Sequence, residues 1–186
     1  MTTLGREYRT NAIILKRRNI GEADRVVTIF SKEYGKMKVI AKGIRRIGSR
    51  RSPHVEVFSH SILMLHRGKT WDLVTEATPL DAFSFLRIHL PRVTSAYYLC
   101  ELVDVLLPDR QEHRDVYTLL LSALQTLNGT TEIDPVVANE QYALELLRLL
   151  GYLAHDRSLP ASRIDPYIEQ IIEKRLRTPK FLMQLA

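Results

Sequence analysis

Apolar and polar positions change their period once along this chain, near residue 80. Before that point the pattern is that of strands. Residues 10–16 are rich in Ile and Leu, and residues 25–31 read Arg-Val-Val-Thr-Ile-Phe-Ser, a β-branched run. Residues 32–36 contain Gly35 and predict a turn, and residues 37–42 then alternate inward and outward. Together these runs predict a hairpin with a longer loop. Residues 43–53 read as a loop, 55–66 as a long strand, 67–69 as a turn and 71–76 as a fifth strand. Five short strands with no helix between them predict a small barrel, an OB-fold, with an SH3-like barrel as the alternative.

Beyond Pro79 the spacing becomes helical. Leu90, Val93, Tyr97, Cys100 and Asp104 mark one register, broadened by Leu86, Leu99, Leu102, Val103, Leu106 and Leu107. Pro91 fits a first turn and Pro108 ends the run. Tyr117, Leu120, Leu121, Leu124 and Leu127 form a second stripe, closed by Asn128-Gly129. Asp134-Pro135 predicts an N-cap with proline at the first helical position, ahead of a third stripe of Tyr142, Leu146, Leu149 and Leu150. Asp165-Pro166 repeats that signature before a fourth helix over 167–177. The fold class is therefore α+β with two domains: a barrel over 1–80 and a helical domain over 81–186.

Charge adds a function to this outline. Residues 16–51 hold twelve Lys or Arg against Glu22, Asp24 and Glu33, a net +9 where the whole chain is only +6. Residues 1–80 carry +9 and residues 81–186 carry −3. Positive charge packed into strands repels itself, and a bound polyanion relieves that repulsion while releasing counterions. Nucleic acid is the first candidate; an acidic protein, an anionic membrane surface or a merely solvated basic face are the others.

Other chemistry finds little support. One cysteine, Cys100, excludes a disulfide framework and a self-contained cysteine zinc site, and its apolar neighbours predict a core thiol. The first ten residues have no apolar signal-peptide core, and no apolar run approaches the ~18 residues of a membrane span, so a cytoplasmic protein is expected. Gly68-Lys69-Thr70 imitates the end of a phosphate-binding loop, but Leu63 stands where its first glycine belongs. The six histidines show no metal-ligand spacing, and no cofactor is expected. Glu22, Asp24 and Asp72 would have to converge to hold the metals of a nuclease; pairing of Glu22 and Asp24 with nearby arginines is the simpler expectation.

The cationic stretch has the parts of a nucleic-acid site. Lys42, Arg45, Arg46, Arg50 and Arg51 fall within ten residues, broken by Gly43 and Gly48, with Ser49 and Ser52 able to donate to phosphate oxygens. Tyr8, Phe30, Tyr34, Phe58 and Trp71 are interleaved. Phe30 and Phe58 sit in apolar runs and are assigned to the core, leaving Tyr34, beside a turn, as the stacking candidate. Nothing resembles a base-reading helix or a zinc finger.

These residues carry a family resemblance. Gly21-Glu-Ala-Asp-Arg-Val-Val-Thr-Ile-Phe-Ser, then Glu33-Tyr-Gly-Lys, then Val39-Ile-Ala-Lys-Gly-Ile-Arg-Arg-Ile-Gly-Ser-Arg51 resembles the N-terminal domain of bacterial RecO proteins. The runs 86–107 and 146–152 are similar to that family's helical domain. The resemblance implies an OB-fold followed by helices, and a non-enzymatic DNA repair and recombination mediator of the RecF-RecO-RecR pathway. It implies binding to single- and double-stranded DNA, strand annealing, and loading of RecA with RecR on strands covered by single-strand-binding protein (SSB). Carried over by position, Arg25, Lys42, Arg45, Arg46, Ser49, Arg50 and Arg51 fall in the family motif, with the cationic ones expected on phosphate. Lys36 and Lys38 join that surface by charge. Glu22, Asp24, Gly35 and Gly43 are assigned to the fold. Many members carry a four-cysteine zinc module after the region matching 150–152; residues 154–164 have no cysteine, so zinc is not expected. The chain stops at Ala186, earlier than such proteins usually do, and the SSB contact, which the resemblance puts in the helical domain, is not assigned to residues. An RNA-binding OB module and an adaptor that recruits RecR or SSB with little DNA affinity of its own are the alternatives.

Overall fold

A computed structural model of the chain describes residues 6–45, 55–131 and 134–178. Five strands run in the order β1 (Glu7–Ile20), β2 (Asp24–Ser31), β3 (Gly35–Ala41), β4 (His60–His66) and β5 (Asp72–Asp81). They close into a barrel with the neighbour order β1-β2-β3-β5-β4. Among the described residues the strand pairings are antiparallel except β3 with β5, which is parallel and joins Val39 to Asp72 and Ile40 to Leu73. This is the five-stranded barrel architecture expected of an OB-fold. Its interior is filled by the inward positions of every strand: Ala12, Ile14, Val27, Ile29, Met37, Val39, Ala41, Leu63, Leu65 and Val74, plugged by Ile44 and Val55. The period-2 pattern of the sequence is the imprint of this core.

Strand boundaries differ from the sequence reading in one place that matters. Residues 55–58 form a turn, and β4 begins only at His60. Phe58 has φ 73°, and its N–H donates to the carbonyl of Ile14 at 2.8 Å. The apolar run across 55–66 is thus split between a barrel plug and a strand. Periodicity alone does not separate the two.

Contacts divide the chain into two compact units, Met1–Ala82 with Pro108–Arg114, and Phe83–Leu107 with Asp115–Ala186. The short segment Pro108–Arg114 belongs to the barrel unit because it pairs with β3. β5 covers so little of β3 that the first half of that strand has an open edge, and open edges seek partners. Asp109 forms a parallel bridge to Lys36, and the N–H of Arg110 donates to the carbonyl of Lys36 at 2.7 Å. The fit is close: a Cβ on Gly35 would lie 1.9 Å from the carbonyl oxygen of Gln111, and Gly35 has φ +69°.

The second unit contains α1 (Ser84–Arg87), α2 (Leu90–Leu106), α3 (Arg114–Asn128), α4 (Pro135–Leu149) and α5 (Ala161–Ile172). α2 is buried nearly all round, from Thr94 to Leu106, which makes it the central helix. α4 packs on it and α5 packs on α4. Asp134 caps α4 as its sequence predicts, accepting from the N–H of Val136 at 2.8 Å. Asp165-Pro166 does not start a helix. α5 begins at Ala161 and carries Pro166 inside it, and Asp165 instead accepts a 2.6 Å hydrogen bond from the Tyr98 hydroxyl. The Cys100 thiol is fully buried, and burial pushes its pKa far up, so it is a core group. No helix among the described residues is long and apolar enough to cross a membrane.

Gly35→Ala is expected to destabilise the protein by about 2 kcal/mol or more, since it combines a left-handed backbone with a clash against another backbone segment. Urea denaturation measures this. A cost under about 0.5 kcal/mol would show that the 108–114 segment does not hold this position in solution.

Candidate nucleic-acid interface

The cationic surface depends on one irregularity in β1. Up to Ile14 the strand follows simple alternation, with Ala12 and Ile14 inward and Ile14 opposite Ile29. Between Ile14 and Lys16 the register shifts, so that Lys16, not Leu15, stands opposite Thr28. Arg18 then stands opposite Val26, and on the next strand Thr28 is opposite Lys38. Because Val27 and Ile29 point inward, Thr28 and its partners point outward. Without the extra residue, Lys16 and Arg18 would face the barrel core and Arg17 would face out. A one-residue slip reverses every side chain, and burying two cations is prohibitive.

The result is a groove of about 270 Å³ across three strands, lined by Lys16, Arg17, Arg18, Val26, Thr28, Lys38 and Trp71. Trp71 comes from the β4–β5 turn and is half-buried. A cationic trough across the β2–β3 face and flanked by the β4–β5 loop is the arrangement that OB barrels use for oligonucleotides. Cations supply sequence-independent attraction, Thr28 can donate to a phosphate oxygen, and Val26 and Trp71 give the floor apolar character.

Other cations near the groove are engaged by the fold. Arg25 lies on the inward register at the barrel end, opposite Ala41 and Asn19. Its Nη1 and that of Arg17 both lie 2.8 Å from the same Glu56 oxygen, and its Nε donates to Asn19. Lys36 is buried, with Nζ 3.4 Å from Asp109. Lys42 and Arg45 are exposed on the turn that leaves β3. Arg45 donates through Nη1 to the carbonyl of Gly21 at 3.1 Å, and its N–H donates to Ala23. Arg46, Ser49, Arg50 and Arg51 lie outside the described residues. Of the described residues expected at the site, Lys38 is the one that lines the groove.

Tyr34 is exposed but does not line the groove. Its ring meets that of Tyr8 edge-on at 4.7 Å, and the guanidinium of Arg67 sits 4.9 Å from the Tyr8 ring centre. Lys16, Arg17, Arg18, Val26, Thr28 and Trp71 also line the groove, and none of them is among the site residues expected from the sequence. The signals were present, in a Lys-Arg-Arg run and in the chain's single tryptophan, but reading them requires knowing where β1 slips register.

The acids have separate tasks. Asp24 accepts the N–H of Gly43 at 2.7 Å, which ties the exit of β3 to the entry of β2. Asp72 is buried and accepts from the Tyr8 hydroxyl at 2.5 Å and from the N–H of Gly68 at 3.1 Å, with Arg110 Nη2 at 3.6 Å. Among the described residues no three His, Cys, Asp or Glu side chains are grouped to hold a metal ion. The helical unit has a larger cavity, about 450 Å³, between α3 and α4, with Leu99, Leu119, Leu127 and Tyr142 among its walls. Its one cation, Arg148, already bonds Glu145 and the carbonyl of Arg157, so the array of positive charge that a polyanion needs belongs to the barrel.

Two family models match in tandem. The one described as recombination protein O N terminal covers residues 3–83, and the one described as recombination protein O C terminal covers residues 89–155. Among curated relatives, the DNA repair protein RecO of Roseiflexus sp. (strain RS-1) is 44% identical over 147 residues, covering 79% of this chain and 51% of that protein. The protein of the same name from Symbiobacterium thermophilum is 36% identical over 145 residues, covering 78% and 57%. That from Desulfitobacterium hafniense (strain DSM 10664 / DCB-2) is 34% identical over 145 residues, covering 78% and 52%. The chain spans about half the length of the curated relatives it matches.

Arg25 and Lys38 should separate cleanly on substitution. Arg25→Ala removes a mostly buried guanidinium from Glu56 and Asn19 and is expected to cost about 1–2 kcal/mol of stability. Lys38→Ala, on the exposed face, should change stability by no more than about 0.5 kcal/mol. Parallel thermal or urea melts of the two variants check this, and equal costs would contradict the division into fold cations and groove cations.

Proposed function

The chain belongs to the recombination protein O family, and from that premise we propose that it is a DNA-binding repair and recombination mediator acting in the cytoplasm without catalysis of its own. The observation that carries this reading is the outward row of Lys16, Arg18 and Lys38 around Thr28, in a barrel groove with an apolar floor. Such a surface neutralises phosphates in series and leaves base edges unread, which suits a protein that must accept any sequence. Strand annealing follows from the same physics. Two complementary strands held on a cationic surface lose part of their mutual repulsion, while their pairing edges remain available. Loading of RecA together with RecR, on strands covered by SSB, is the role the family relationship supports for the whole protein. RecR and SSB are therefore the proposed protein partners. The acidic helical unit is where a contact with protein, not with DNA, is electrostatically favoured.

The test is fluorescence anisotropy of labelled oligo-dT across a salt series, followed by an annealing assay. A multi-phosphate footprint makes log K fall with log salt at about −0.7 per contact on a single strand. Lys16→Ala, Arg18→Ala and Lys38→Ala combined should flatten that slope by about 2 and weaken binding, with an unchanged circular dichroism spectrum. Weak, salt-insensitive binding by the unaltered protein would put the adaptor reading in its place. Equal or tighter binding of matched RNA in competition would point to an RNA module.

A further inference from the structure

We infer that Trp71 is a base-stacking platform that makes the barrel groove a single-strand site; this rests on the DNA-binding reading of that groove. Trp71 is the only tryptophan of the chain and lies in the groove with Lys16, Arg18, Thr28 and Lys38. Its backbone is held from both sides. Asp72, the next residue, starts β5 and pairs with Val39 of β3, and its buried carboxylate takes the Tyr8 hydroxyl and the N–H of Gly68. On the other side the turn closes so tightly that a Cβ on Gly68 would lie 2.0 Å from the carbonyl oxygen of Trp71. A backbone fixed in this way holds the indole's point of attachment at the groove, so less conformational freedom is lost when a base stacks on it.

The half-buried indole stands among cations, and a nucleotide has the matching anatomy: a flat apolar base flanked by phosphates. Bases in a duplex spend both faces on their neighbours. Only an unpaired base can offer a face to an indole. The cations therefore attract either form of DNA, and Trp71 favours the single strand. Tyr34, the stacking residue expected from sequence, meets the Tyr8 ring edge-on and lies outside the groove.

A single tryptophan makes the experiment direct. Oligo-dT should quench the intrinsic emission, with the same midpoint as the anisotropy change of a labelled strand. A duplex of equal length should bind by anisotropy with little quenching. Trp71→Ala should weaken oligo-dT binding about tenfold and leave duplex affinity within about threefold, and Trp71→Phe should recover most of the loss. Oligo-dT that binds without quenching, or a Trp71→Ala loss that is equal for single strand and duplex, would overturn the stacking role and leave DNA binding standing. Absence of any anisotropy change with either DNA would overturn both. The quenching measurement uses the unaltered protein, so it decides the matter even if the alanine variant folds poorly.

Discussion

The barrel closes through Asp72. Parallel pairing between β3 and β5 extends over two residue pairs, a short seam for a sheet that must have no free edge. Such a seam needs reinforcement from side chains. Asp72 supplies it by binding three other parts of the unit: Tyr8 at the start of β1, the N–H of Gly68 in the β4–β5 turn, and Arg110 in the segment that lies along β3. A buried carboxylate is costly unless its oxygens are satisfied, and the cost of leaving it unsatisfied makes its partners obligatory. Burial and the Asp72 carboxylate together push the Tyr8 phenol well above its ordinary pKa, so it stays a hydrogen-bond donor at any pH the protein meets. Closure, the turn and the edge segment are thus one coupled arrangement, and Trp71 is carried into the groove by its covalent bond to that residue.

The second constraint is parity. A strand offers two faces, and the sequence of β1 conflicts with a uniform alternation. It has four consecutive apolar residues, Ala12 to Leu15, followed by three cations. The register shift between Ile14 and Lys16 resolves the conflict by placing Lys16 and Arg18 outward. Arg17 remains on the inward register, at the barrel end, where Glu56 receives it together with Arg25. The bulge is therefore a sorting device. It sends Lys16 and Arg18 to the outward face and leaves Arg17 beside Glu56.

This explains which parts were legible in the sequence. The five strands, the helical half and the cap at Asp134 are written in local periodicity and in residue types whose preferences act over a few positions. The start of β4 was misread because Val55 and Val57 are as apolar as strand residues while serving as plug and turn. The start of α5 was misread because Asp-Pro is a good cap, and only the hydroxyl of Tyr98, 67 residues away, shows that the carboxylate is used elsewhere. For the same reason a charge count does not separate cations that face the groove from cations engaged in the fold. Arg25 and Lys36 carry charge equal to that of Lys38, and only the positions of Glu56 and Asp109, both distant in sequence, reveal that they are engaged in the fold.

Net charge consequently understates the local field of this barrel. Four of its acids are committed to structural joints. Glu56, Asp72 and Asp109 each approach a cation that closes an end, a seam or an edge, and Asp24 holds a backbone N–H. Those pairings consume the negative charge at the structural joints. The outward face of β1 to β3 carries Lys16, Arg18 and Lys38, and among the described residues no acidic side chain lines the groove they form. A chain can gain affinity for a polyanion by adding cations, at the cost of self-repulsion in the folded state. It can also do so by assigning acids to the cations that hold the fold together, which lowers repulsion at the joints. In this barrel the pairs Arg25–Glu56, Lys36–Asp109 and Arg110–Asp72 sit at structural joints, so the folding of the sheet and the polarity of its surface are linked through the same acid–base pairs.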